Sequence, residues 1–256
     1  NVNGIQGNDV TGRRSRYIVE DRIINTTKYN FNSTLNTAVT ENINFTAGVT
    51  YQSQNNHYYK EVDDLLGGEF YVDVNQFGER DFPANPNAGQ NDLNNPNRIV
   101  RDGDKFGYNY DFNIKKGSVW LQGVFKFRKI DVFVATEHSY TSFFRKGNVK
   151  SGLFPNNSYG KSETQNFYNS GIKGGLTYKI NGRNYIFANA SYASRAPFFE
   201  NAFIAQRTRD IVQDNLKSEE ILSTEVGYVM NAPKLKIRAT AYYTQFKNGL
   251  DVLTFY

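Results

Sequence analysis

A two-residue alternation of apolar and polar side chains constrains this chain more than any other feature. Between residues 29 and 39 the odd positions are Tyr29, Phe31, Ser33, Leu35, Thr37 and Val39. The even positions between them are Asn30, Asn32, Thr34, Asn36 and Ala38. After Glu41-Asn42 the pattern resumes as Ile43, Phe45, Ala47, Val49 and Tyr51 against Asn44, Thr46, Gly48, Thr50 and Gln52. Successive side chains of a strand point to opposite faces, so each segment has one apolar and one polar face. The polar set is mostly Asn, Thr, Gln and Gly, and the apolar set is tipped with Tyr and Phe. Such a strand suits lipid on one side and a wet lumen on the other.

Composition narrows the choice. No run of 18 or more apolar residues exists among the 256, which excludes a helical membrane protein. A mean hydropathy of −0.62 with 15% aromatics is compatible with a membrane barrel, because half of each strand is polar. A soluble β-sandwich also alternates, so composition alone does not separate the two. With no cysteine there is neither a disulfide framework nor a thiolate metal site. The formal charge of +5 is spread over mixed signs, as in Lys60-Glu61, and leaves no nucleic-acid-binding stripe. There is no signal peptide at Asn1 and no initiator Met. The chain is therefore expected to begin inside a mature protein or to be a fragment.

Eight strands are predicted, at 16–40, 43–58, 106–127, 130–145, 164–180, 184–194, 219–230 and 235–248. Their connections alternate in length. Glu41-Asn42, Arg128-Lys129, Asn181-Gly182 and Asn231-Ala232-Pro233-Lys234 are short; Asn-Gly is the strongest hairpin signal among them. The links 59–105, 146–163 and 195–218 are long. Tight turns at one end and long loops at the other are the organisation of an outer-membrane barrel. The fold class expected is thus all-β: an antiparallel up-and-down transmembrane β-barrel segment, one partial domain over 1–256. In the segment 106–127 the apolar parity switches near Lys115-Lys116-Gly117, from Tyr108, Tyr110 and Phe112 to Val119, Leu121 and Phe125. That switch predicts a bulge, or a strand that leaves the membrane and rises into solvent.

Charge on a lipid face costs about 2–4 kcal/mol for Lys or Arg near the midplane. Lys126, Lys173, Glu225, Lys236 and Arg238 are accordingly expected to face the lumen, and Tyr178 and Tyr243 to sit in interfacial girdles. The long loop 59–105, rich in Asn, Asp, Pro and Gly, reads as a solvated external loop. Asp73-Val74-Asn75-Gln76-Phe77-Gly78 loosely matches a calcium loop, but Ala84 stands where a bidentate Glu is needed. Asp102-Gly103-Asp104 reads as a turn. His57 and His138 have no Cys partner, and His138-Ser139 point to opposite faces, so neither a zinc site nor a Ser–His pair is expected. Neither a P-loop nor a dinucleotide fingerprint is present, so no cofactor and no enzymatic activity are expected.

The stretch Tyr185-Ile186-Phe187-Ala188-Asn189-Ala190-Ser191-Tyr192, then Ser194-Arg195-Ala196-Pro197-Phe198-Phe199-Glu200, resembles a TonB-dependent outer-membrane receptor. So do Asn215-Leu216-Lys217-Ser218-Glu219, Glu225-Val226-Gly227-Tyr228 and Ala241-Tyr242-Tyr243-Thr244-Gln245-Phe246. Upstream, Arg16-Tyr17-Ile18-Val19-Glu20-Asp21-Arg22 and Asp64-Leu65-Leu66-Gly67-Gly68 are similar to Bacteroidetes-type members. The resemblance runs over nearly the whole chain. It implies a barrel of about 22 strands around an N-terminal plug. It also implies energised uptake of a scarce nutrient: a siderophore, metal chelate, oligosaccharide or peptide. The implied partners are outer-membrane lipid, the TonB complex through a plug domain, and the small nutrient ligand. A surface lipoprotein is left open, and nucleic acid is not a partner.

Neither plug nor TonB box is read in this sequence, and eight strands fall short of 22. The chain is therefore expected to be an interior barrel segment without a closing strand, although Tyr256 is aromatic. The external loops would form a ligand-catching mouth, with Arg145, Arg195, Phe198, Phe199 and Glu200 as its candidate residues. Two other readings stay open: a small passive barrel, porin or adhesin, and a soluble β carbohydrate-binding module.

Overall fold

The computed structural model describes residues 10–250. In chain order the elements are β1 (Val19–Thr40), β2 (Ile43–Asp64), β3 (Tyr71–Val72), α1 (Gln76–Asp81), β4 (Ile99–Val100), β5 (Lys105–Lys126) and β6 (Ile130–Gly147). They continue with β7 (Gly160–Lys161), β8 (Gln165–Lys179), β9 (Asn184–Arg195), α2 (Phe199–Ala202), β10 (Glu219–Ala232) and β11 (Leu235–Lys247). The long strands pair antiparallel with their sequence neighbours in the order β1-β2-β5-β6-β8-β9-β10-β11. Four tight hairpins lie at one end, and three long loops at the other. This is an up-and-down antiparallel barrel segment. Among the described residues β1 and β11 lie at opposite ends of the strand order and do not pair. An eight-stranded barrel closed on itself is therefore not formed, and Tyr256 lies outside the described residues.

Register explains the parity switch. β2 and β5 stay in one register from Ile43↔Phe125 to Tyr59↔Asn109, straight through Lys115-Lys116-Gly117. The expected bulge is not there. The single shift in this pair falls between Tyr59 and Lys60, opposite Gly107, whose φ of +66° a side chain would resist. What changes along β5 is the environment. Val119 and Leu121 point outward and are exposed. Tyr110, Phe112 and Ile114 point to the concave face and are buried there with Tyr58, Phe143, Phe167 and Phe203. The strand rises out of the lipid zone and inverts its polarity.

The outer face shows where that zone ends. Cross-strand partners align Phe31, Tyr51, Gly117, Tyr140 and Tyr168 in one row. It lies about ten residues above the tight turns, roughly the span of a membrane strand. Below it most outward positions, such as Leu35, Val134, Ile172, Leu176 and Val226, are apolar and exposed, with uncharged residues such as Ser33, Thr136 and His138 among the rest. None of them is Asp, Glu, Lys or Arg. Tyr178 and Tyr243 are outward and exposed, as expected of girdle residues.

Candidate functional site

The long-loop end folds into a cap. Loop 59–105 is not the unstructured loop that its composition suggests. Its first residues continue β2 to Asp64, and it contains β3, α1 and β4. Asn75 caps α1 by accepting from the amides of Phe77 and Gly78. Asp73, one of the residues matched to a calcium loop, is instead consumed by Asn91 Nδ2, the Gly107 amide and Arg98 Nη2, at 2.8, 2.9 and 2.8 Å. Asp102-Gly103-Asp104 is a turn, with Gly103 at φ +81° and Asp104 accepting from the Arg101 amide.

Backbone bonds tie the three loops together. The Leu93 amide donates to Lys150 O, the Gly152 amide to Gln90 O, and the Asp210 amide to Asn157 O. Arg145 is the central clamp. Its Nε donates to Gln206 O at 2.7 Å and its Nη1 to Ser158 O at 3.0 Å. The guanidinium lies 5.0 Å from the centre of the Tyr110 ring. It is only 2% exposed, so this cation is held by carbonyl dipoles and an aromatic face rather than by a carboxylate bond. Burial pushes the Asp210 carboxyl above its ordinary value, against the opposing pull of Arg145.

A cleft of about 390 Å³ opens between these loops and the tops of β1, β2 and β5. Among the described residues four cations line it, Arg22, Lys60, Arg145 and Arg207, with Glu20 as the only carboxylate. Lys60 and Arg22 bond Glu20 at 2.7 and 2.9 Å. The Lys60 ammonium also lies 5.5 Å from the Phe106 ring and 5.7 Å from Tyr108, and Arg207 stacks over Tyr108 at 5.4 Å. Cations on aromatic faces, in excess over acid, favour an anionic ligand with flat or ring-shaped parts.

Below the cap, the concave face holds a polar cavity of about 760 Å³ reaching from β1 to β9. Asn30, Gln52, Ser118, Trp120, Glu137 and Lys173 are among its walls. A hydrogen-bond ladder climbs β2 out of it. Gln52 donates to Gln54 at 3.0 Å, Gln54 to Asn56 at 2.9 Å, Asn56 to the Tyr58 hydroxyl at 3.4 Å, and Tyr58 to Glu200 at 2.6 Å.

The residues expected at the mouth divide into two groups. Arg145, Phe199 and Glu200 converge on the buried aromatic cluster, Phe199 lying 4.9 Å from Phe112. Arg195 and Phe198 sit apart at the rim, where Arg195 bonds Glu219 and covers the Phe198 ring. Lys173 lines the concave cavity, and Glu225 accepts from Asn189 on that face. Register puts Lys126 beside Asp131, and Lys236 and Arg238 on the same concave side, Arg238 5.0 Å from the Phe187 ring. The cleft residues Arg22, Lys60, Tyr108 and Arg207 were not foreseen. The parity switch at Tyr108 to Phe112 was their one sequence signal. His57 bonds Asn109 at 2.8 Å, and His138 projects outward near Thr136.

A charge-free outer band, an aromatic row and a polar concave face capped by long loops define an outer-membrane β-barrel. Residues 3–255 match the family described as TonB dependent receptor-like, beta-barrel, and the chain belongs to that family. Its place is the bacterial outer membrane, which removes the soluble-module reading. The fold is similar to a solved structure titled "Copper transporter OprC", with a TM-score of 0.58 at 12% identity. The similarity covers 86% of this chain and spans only 30% of that one. No match was found among curated proteins.

Proposed function

We propose that this chain builds part of the barrel wall of a receptor that imports a scarce nutrient, energised through TonB. The observation that carries this reading is the cap. Three long loops are bonded to one another over an apolar upper bore, and they leave a cation-lined aromatic cleft at its edge. Loops packed across the mouth close the upper bore, which a wide diffusion channel needs open. In this reading Arg22, Lys60 and Arg207 meet the ligand, Arg145, Phe199 and Glu200 hold the cap, and Arg195 and Phe198 shape its rim. Lys126, Lys173, Glu225, Lys236 and Arg238 face the plug and the ligand path. The ligand belongs to the siderophore, metal-chelate, oligosaccharide or peptide classes, with an acidic member favoured by the cleft.

The test is uptake by cells expressing the full-length receptor, with and without TonB, across labelled members of those classes. Saturable uptake of one class that needs TonB is expected. Arg22→Gln, Lys60→Gln and Arg207→Gln should each reduce it while heat-modifiable gel migration stays normal. Uptake that is linear in concentration and indifferent to TonB would establish a passive barrel instead.

A further inference from the structure

A second site lies on the opposite face of the sheet. Directly above the aromatic row, the next outward row reads Tyr29, Ser53, Lys115, Ser142 and Asn166. Two rows higher, Lys146 stands directly opposite Lys161. Like charges facing each other across a ladder repel, which calls for a counter-anion. Among the described residues none of these three lysines forms an ion pair with a carboxylate. Asp111, the cross-strand neighbour of Lys146, accepts from Asn148 Nδ2 at 2.7 Å, and Glu163 makes no ion pair with Lys161. The Lys161 ammonium lies 4.4 Å from the centre of the Phe144 ring.

Between these rows is a groove of about 380 Å³. Lys115 and Lys161 line it with Ser53, Asn113, Ser142 and Thr164, and among the described residues no carboxylate belongs to its walls. Its height decides what can fill it. It begins one row above the Tyr51, Tyr140 and Tyr168 girdle, and rows along a strand are about 7 Å apart. That is the level of lipid headgroups, immediately above the charge-free band. The ligand cleft opens on the other side of the sheet and cannot supply the anion.

We propose that the groove walled by Lys115 and Lys161, with Lys146 beside it across the ladder from Lys161, binds the phosphate of a phosphorylated glycolipid headgroup in the outer leaflet. The lysines supply charge, Ser53, Ser142 and Thr164 offer hydroxyl donors, and the girdle below holds the acyl chains of the same lipid. The site is distinct from nutrient capture and holds whether or not the uptake reading does.

The experiment uses the full-length receptor in nanodiscs or mild detergent, with binding of purified lipid A read by native mass spectrometry. The bisphosphorylated form, the enzymatically dephosphorylated form and inorganic phosphate are compared. The receptor should retain the bisphosphorylated lipid and lose most retention of the dephosphorylated one. With each lysine near an anionic surface contributing about one factor of five, K115Q/K146Q/K161Q should weaken binding roughly a hundredfold. The K115R/K146R/K161R variant should restore it, which separates lost charge from lost folding. Equal retention of both lipid forms, or no change in the glutamine variant, would overturn the proposal. Equally strong capture of inorganic phosphate alone would assign the groove to a free anion and also overturn it.

Discussion

The hydroxyl of Tyr58 donates to Glu200 Oε1 across 2.6 Å, joining β2 to a loop 142 residues later in the chain. The bond is the top rung of the β2 ladder and the fastening of the loop that carries α2. A hydrogen bond to a charged group contributes about 1.5–3 kcal/mol. Tyr58→Phe keeps the ring packing against Tyr110 and removes only the donor. We expect amide exchange in 196–213 of the full-length receptor to accelerate by at least tenfold, with exchange in β5 unchanged.

Arg145 should behave as a loop anchor before it behaves as a ligand contact. Arg145→Met keeps much of the packing and strands the carbonyls of Gln206 and Ser158, each at a cost of about 1–3 kcal/mol when buried. Proteolysis within 148–158 and 204–213 should therefore appear in this variant under conditions that leave the wild type intact. Barrel migration on gels should be unaffected, because Arg145 lies above the membrane-spanning part of β6.

The Asp210 carboxyl gives the cap a pH dependence. Its folded-state value is raised by burial, so the folded loop binds this proton more tightly than the unfolded loop. The stabilisation is therefore full below the ordinary carboxylate value of 3.8 and declines as pH rises through the raised folded value. Arg145 opposes the shift, so Arg145→Met should extend the decline to higher pH. Exchange protection of 204–213, followed from pH 3 to pH 6, should fall across this window and should be flatter in Asp210→Asn.

Gly48 faces Trp120 on the concave side, and a Cβ at position 48 would meet the indole ring at 2.6 Å. Gly48→Leu must displace Trp120 into the cavity or bend the strand pair, and overpacking costs about 1–3 kcal/mol. The expected readouts are a shifted tryptophan emission maximum, the indole being the only one in the chain, and a lowered unfolding midpoint.

The two faces should differ in their tolerance of charge. Leu176→Arg places a cation on the outward band and should lower the folding free energy by about 2–4 kcal/mol in lipid. Ser191→Arg, on the polar concave face at a wall of the cavity, should cost far less. Comparable losses in a lipid-vesicle unfolding titration would mean that the lipid-facing side has been misassigned.

The sequence by itself determined the strands, their pairing order and which end carries tight turns, because side-chain period and turn chemistry are local properties. Asn181-Gly182 and the alternation from Tyr29 to Tyr51 needed no tertiary information. The outward placement of Leu176 and the concave placement of Lys173 followed from the cost of charge in lipid. The inward turn of Tyr110 and Phe112 did not, because parity says that a face is apolar and not what covers it. Here loops distant in sequence cover it, through Phe199 and Phe203. The Arg145 clamp, the pairing of Arg207 with Tyr108 and the alignment of Lys146 with Lys161 depend on loop closure and on register summed across several strands. Those are decided only when the sheet and its cap assemble, since each contact joins residues whose own neighbourhoods carry no sign of the other.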